Sequence, residues 1–167
     1  MLGNLLLQSG NPKEAVPHLQ EGLKLYPNDP LIRSNLGSAY SELGEEEGAF
    51  RELEKALQLA PTNPTYMNNL AWVLATSTNR SVRNGPRAIQ LAKEALKQAD
   101  AMFADRFLYT LAAAYAASGQ VTTAINTAKE AQRLAREQGN KPLEASLGDM
   151  ILKYQESEPK NLHLQTP

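Results

Sequence analysis

The sequence predicts an all-α fold, a solenoid of about four helical hairpins followed by a C-terminal capping helix. Three observations carry this expectation. Leu36 and Tyr40 lie four apart, and Ala49, Leu53 and Ala56 follow one another at helical offsets, so each set shares one helical face. Punctuation falls where the faces end: Gly44 suits the left-handed turn that closes a helix, and Pro61 cannot continue one. The pattern then recurs with a period of 34: stepping back takes Gly37, Gly44, Ala49, Leu53 and Pro61 to Gly3, Gly10, Ala15, Leu19 and Pro27, and stepping forward takes Leu36, Gly37 and Tyr40 to Leu70, Ala71 and Leu74. A fixed period with small, large and punctuating residues at fixed offsets is the signature of stacked helical repeats. Gly37, Ala49 and Ala56 carry almost no side chain, so the two helix backbones of this hairpin are expected to approach closely.

Taken in order, the solenoid is expected over residues 1–156, with repeats at about 1–29, 30–63, 64–104 and 105–138 and a capping helix at about 141–156. In the first repeat, Leu2, Leu5 and Leu6 are expected to face a second helix that opens near Asn11-Pro12, with Asn11 as its cap and Pro12 in the first turn. His18 is expected to face solvent. By the repeat frame residue 1 falls at the sixth position of a unit, so this chain is expected to be a piece of a longer protein. The second repeat is the best formed. Glu45, Glu46 and Glu47 fall where its second helix begins, where negative charge favours the helix dipole, and a solvated helix start is expected there.

The third repeat keeps Met67, Leu70, Ala71 and Leu74 in frame, but its small-residue face, Ala88, Ala92 and Ala95, comes five residues late. The insertion falls within 76–86, a run of Ser, Thr, Asn, Arg and Gly that reads as a loop, with Asn84 or Ser81 capping the helix after it. The fourth repeat carries Leu111, Ala112 and Tyr115, then Gly119, then Ala124, Ala128 and Ala131, with Gly139 as a stop. Asp105 is expected to cap its first helix and leave Arg106 exposed. Leu143, Leu147, Met150, Ile151 and Tyr154 make one apolar stripe, as a capping helix needs. The tail, 157–167, is polar with two prolines and is expected to be disordered, with Leu162 and Leu164 as its apolar residues.

Composition narrows the function classes. The net charge of −1 gives no electrostatic reason to expect nucleic acid or an anionic membrane surface. The chain has no cysteine, and its two histidines, His18 and His163, are too far apart to suggest a metal site. No catalytic motif, phosphate-cradling glycine loop or metal-ligand cluster is present, so neither enzyme activity nor a cofactor is expected. The apolar run Leu5 to Leu7 is too short for a signal peptide or a membrane span, and no direct membrane contact is expected from this segment.

The run Leu36-Gly37-x-x-Tyr40, then Ala49, Leu53, Ala56 and Pro61, resembles the tetratricopeptide repeat family over roughly residues 1–138. The string from Asn69 to Ser77, followed by Arg83-Asn84-Gly85, resembles a variant repeat of larger bacterial multi-repeat proteins. The resemblance implies a right-handed superhelix whose concave side is lined by the first helix of each hairpin. It further implies a protein–protein interaction module that binds a peptide or protein segment there, as a scaffold or recruitment domain of a larger protein. Carried over position by position, the groove would include Asn4, Asn35, Ser38, Asn69, Trp72, Arg106, Tyr109 and Ala113. Asn35 and Asn69 occupy the same position of successive repeats and resemble the asparagine ladder of repeats attached to O-linked N-acetylglucosamine transferases. A side-chain amide both donates and accepts, so it can hold peptide backbone without reading its sequence; equally, it can bond to a neighbouring helix. Trp72, Arg106 and Tyr109 would select side chains, although Trp72 could equally pack under the loop insertion, and Ala113, Ala116 and Ala117 would leave room beside Tyr109 for an apolar guest. The carboxylate clamp of chaperone-binding repeats is not matched, because Thr65 and Asn69 stand where it needs Lys and Arg. The alternative is a homo-oligomer formed by end-to-end packing of the solenoid through Leu2, Leu5 and Leu6. The expected location is the cytoplasm, or a soluble domain of a larger protein.

Overall fold

The computed structural model describes residues 2–157, so Met1 and the tail beyond Ser157, with Leu162 and Leu164, lie outside the described residues. Among them the chain forms nine α-helices and one 3-10 turn, with no strand. The hairpins pair α1 (Leu2–Gln8) with α2 (Pro12–Leu25), α3 (Pro30–Glu42) with α4 (Glu46–Leu59), α5 (Pro64–Thr76) with α6 (Gly85–Gln98), and α7 (Ala104–Ala117) with α8 (Val121–Glu137). A ninth helix, α9 (Lys141–Ser157), lies on α8 and touches α7. The result is the expected all-helical solenoid with its terminal helix.

Local chemistry sets the helix boundaries. Pro12, Pro30 and Pro64 open α2, α3 and α5, where the missing N–H costs nothing. Asp29 Oδ1 accepts from the backbone N–H groups of Leu31 and Ile32, at 2.8 and 3.0 Å, and Asn63 does the same for Thr65 and Tyr66. Asn84 caps α6 by accepting from Arg87, whereas Ser81 is held within the loop by Asn79. Asn11 departs from expectation and makes no cap bond, so α2 relies on Pro12 for its start. Gly10, Gly44, Gly119 and Gly139 turn the chain at φ values of 71 to 76°, a region costly for any residue with a side chain.

The small-residue faces do what their spacing requires. Ala49 and Ala56, Ala88, Ala92 and Ala95, and Ala124, Ala128 and Ala131 are all fully buried at the hairpin interfaces. A Cβ placed on Gly37 would lie 2.6 Å from Leu53 Cγ and 3.1 Å from the Ala49 carbonyl oxygen, so glycine is needed for this approach. Leu53, Leu70 and Leu74 fill the core around these contacts, each burial contributing about 1.5–3 kcal/mol. Leu147 and Ile151 of α9 close the far end against Ala128 and Ala131.

At the first hairpin the expected face is shifted. Gly3 is buried against Leu19, and Leu6 and Leu7 join the core, while Leu2 and Leu5 point outward, 55% and 60% exposed. Residues 2, 5 and 6 and residues 3, 6 and 7 are both stripes at i, i+3 and i+4, and the contact of Gly3 with Leu19 turns the second to the core.

The insertion in the third hairpin is an ordered loop fastened from the preceding one. The Glu46 carboxylate accepts from Ser77 Oγ (2.7 Å), Thr78 N (2.8 Å), Thr78 Oγ1 (3.0 Å) and Asn79 N (2.8 Å). These bonds, the Thr78 amide foremost, pull its carboxyl down to about 2. Glu46 is therefore more than a favourable charge at a solvated helix start. Asp105 also differs from expectation. It is the second residue of α7 rather than its cap, and it is fully buried. Its Oδ1 accepts from the Arg106 backbone N–H and its Oδ2 from Asn140 Nδ2 at 2.9 Å, which ties the start of α7 to the turn before α9.

Candidate functional site

The first helices of successive hairpins, α3, α5 and α7, neighbour one another along one side of the solenoid, and α9 continues the series. A pocket of about 310 Å³ opens on this side. Ser38, Ser41 and Glu42 line it from α3, Asn68, Asn69 and Trp72 from α5, Arg106, Tyr109 and Thr110 from α7, and Leu143 from α9. The insertion leaves α5 packed directly on α7, and Trp72 stacks on Tyr109 across that contact, with ring centroids 5.0 Å apart and planes 19° from parallel.

Of the residues expected in the groove, Ser38, Asn69, Trp72, Arg106 and Tyr109 meet around this pocket. Asn4 and Asn35 are half-buried on the same series of helices but do not line it. Ala113 is almost fully buried in the core below Trp72. Together with Ala116 and Ala117 it floors a second pocket, about 350 Å³, walled by Lys153 and Tyr154 of α9. Room above the alanines therefore exists, and the capping helix supplies one of its walls. Leu143, Lys153 and Tyr154 were legible only as parts of an amphipathic cap, because no repeat position predicts which way its stripe turns.

Asn69 is not a free rung. Its Nδ2 donates to Ser34 Oγ at 3.2 Å and to Ser38 Oγ at 3.4 Å, which joins α5 to α3. Asn68 Oδ1 is buried beside the pocket and has no partner among the described residues. Trp72 packs partly on the core and partly lines the pocket, so core and groove are not exclusive for it. Partial burial raises the carboxyl of Glu42 and the phenol of Tyr109. The phenol of Tyr154 is pushed up to about 12, by burial first and then by Tyr109 nearby. No helix among the described residues is long and apolar enough to cross a membrane, and none of their acidic or histidine side chains cluster as a metal site would need.

Stacked helical hairpins with one lined groove define a repeat scaffold, a class that typically serves as a protein–protein interaction module. Residues 1–64 match the family model described as Tetratricopeptide repeat. No curated protein matches it. Solved structures share the fold. PilW, titled a widely conserved type IV pilus biogenesis factor, superposes with a TM-score of 0.67 at 16% identity, over 93% of this chain and 75% of that one. TTC0263, titled a thermophilic TPR protein in Thermus thermophilus, gives 0.64 at 19% identity, over 96% and 90%. MamA from Desulfovibrio magneticus RS-1 gives 0.63 at 22% identity, over 93% and 90%. Identities this low show likeness of fold alone.

Proposed function

We propose that this chain is a non-catalytic recruitment module that holds a peptide or protein segment of a partner in its concave groove. The observation that carries this reading is the Trp72–Tyr109 stack beside a pocket to which three hairpins and the terminal helix all contribute. Stacked aromatics at the centre of a concave, partly polar surface are the usual anchors of protein recognition. The Asn68 oxygen, unpartnered among the described residues, adds an acceptor beside the pocket, while the Asn69 amide nitrogen is engaged by α3. Asn35, Asn4 and the second pocket extend the same surface in this reading.

The test uses Trp72, the sole tryptophan of the chain, as its reporter. Peptides selected from a random display library should shift its emission on titration. Tyr109→Ala should weaken them about tenfold or more, as loss of a central aromatic anchor does, with little change in melting temperature. Selected peptides that leave the Trp72 signal untouched would place binding elsewhere.

A second reading, self-association through the end of the solenoid, is favoured by the outward-facing Leu2 and Leu5. Leu6 does not contribute to that edge, since it is packed in the core.

A further inference from the structure

The groove carries two charges that the other described residues leave without an ion pair. Several arginines elsewhere sit against glutamates: Arg33 on Glu52, Arg87 on Glu54, Arg133 on Glu130 and Glu137, Arg136 on Glu144. Arg106 has no carboxylate in reach among the described residues and meets only the Phe103 ring, 6.0 Å from its centroid. Glu42 has neither an ion pair nor a hydrogen bond among the described residues, and partial burial raises its carboxyl. Both line the Trp72–Tyr109 pocket. Arg106 is near the start of α7 and Glu42 is the last residue of α3, and these helices run in the same sense. Ten positions of offset at 1.5 Å per residue separate them by about 15 Å along the helix axes, and α5 between α3 and α7 adds two helix spacings of about 8–10 Å each across them, so the two residues lie on the order of 22–25 Å apart. The pocket is thus dipolar, acidic at one end, basic at the other and aromatic between.

We infer that the groove selects an extended partner segment by charge order: a basic side chain against Glu42, an acidic one against Arg106, and an apolar one between them on Trp72 and Tyr109. This deepens the proposed function and rests on it. An extended chain advances about 3.3–3.6 Å per residue, so the two charged residues of the guest stand about six or seven positions apart. Arg106 offers a planar fork suited to a carboxylate, and Glu42 accepts from Lys or Arg. Opposite ends of opposite sign fix the direction in which the segment lies, because the reversed order sets like charges together.

The test is parallel selection of a random peptide library on the wild-type chain and on the double variant Glu42→Lys/Arg106→Glu, both checked for folding by circular dichroism. Wild type should enrich peptides with one basic and one acidic residue about six or seven apart around an apolar residue, in a single order. The double variant should enrich the reverse order. Neutralising either charge alone, Glu42→Gln or Arg106→Gln, should weaken a selected peptide about two- to fivefold, the effect of an exposed pair. Enrichment of apolar peptides without the charge pair, or an order that does not invert, overturns the charge-order rule while leaving groove binding intact. No enriched peptide that moves Trp72 emission would remove both.

Discussion

Replacing Gly37 with alanine adds one methyl group, and the structure says where it goes. The new Cβ would sit 2.6 Å from Leu53 Cγ, 3.0 Å from Leu53 Cδ2 and 3.1 Å from the Ala49 carbonyl oxygen. Leu53 is only 1% exposed and cannot swing out, and the carbonyl belongs to the α4 backbone. Relief requires α3 and α4 to separate, an overpacking cost of about 1–3 kcal/mol. Against this, alanine in place of glycine inside a helix gains about 0.5–1 kcal/mol. The net expectation is a loss of about 1–2 kcal/mol, or roughly 3–6 °C in melting temperature for a chain of this length. Gly148→Ala is the matched control. It too lies within a helix, but its Cβ would meet only the Gln132 side-chain amide at 3.3 Å, the end of a flexible side chain that needs to give by a few tenths of an ångström beside its bond to the Glu144 carbonyl oxygen. This variant should gain about 0.5 kcal/mol from helix propensity. Thermal and urea melts followed by circular dichroism compare the two. If Gly37→Ala stabilises as much as Gly148→Ala, close backbone approach is not the reason for glycine in the first helix.

The Glu46 clamp gives a pH prediction. Its folded carboxyl lies at about 2, below the ordinary carboxylate value of 4.5, so its contribution is fully present above pH 4.5 and is lost as pH falls towards 2. Amide exchange at Thr78 and Asn79, corrected for intrinsic rates, should stay slow at neutral pH and quicken below about pH 3. Glu46→Gln should quicken it at every pH, and protection unchanged in that variant would mean the loop is held by something else. For the exposed leucines, sedimentation at several concentrations should show association that Leu2→Asp/Leu5→Asp abolishes; a wild type monomeric throughout ends the self-association reading.

How far the fold could be read from sequence depended on whether partners share the period. Gly37, Ala49 and Leu53 contact one another within one repeat, and their copies lie one period away, so periodicity alone located the interfaces. The insertion showed itself as a break in that period before Ala88. What the period could not carry was contact between non-equivalent positions. Glu46 reads as a generic acid in a first turn, and its partners lie in an inserted stretch without a repeat pattern. Asp105 looks like a cap until Asn140, outside the repeat frame, is known to reach it. For the site, the groove positions brought Ser38, Asn69, Trp72, Arg106 and Tyr109 to one pocket. The engagement of the Asn69 amide was undecided because an amide serves a helix or a guest equally well. The contribution of α9 stayed hidden because an amphipathic stripe tells that a helix docks, not which neighbours its rim overlooks.

The glycine turns have a consequence for how shape is inherited along the chain. In the first, second and fourth hairpins the splay between the two helices is written locally, in a single left-handed residue at Gly10, Gly44 or Gly119. The third hairpin has no such residue among those described, and its connector takes its set from a carboxylate on the repeat before it. The hairpin that presents Trp72 thus borrows its posture from its neighbour. A change of side chain at Glu46 would be felt as a tilt of the recognition surface rather than as a lost contact within it.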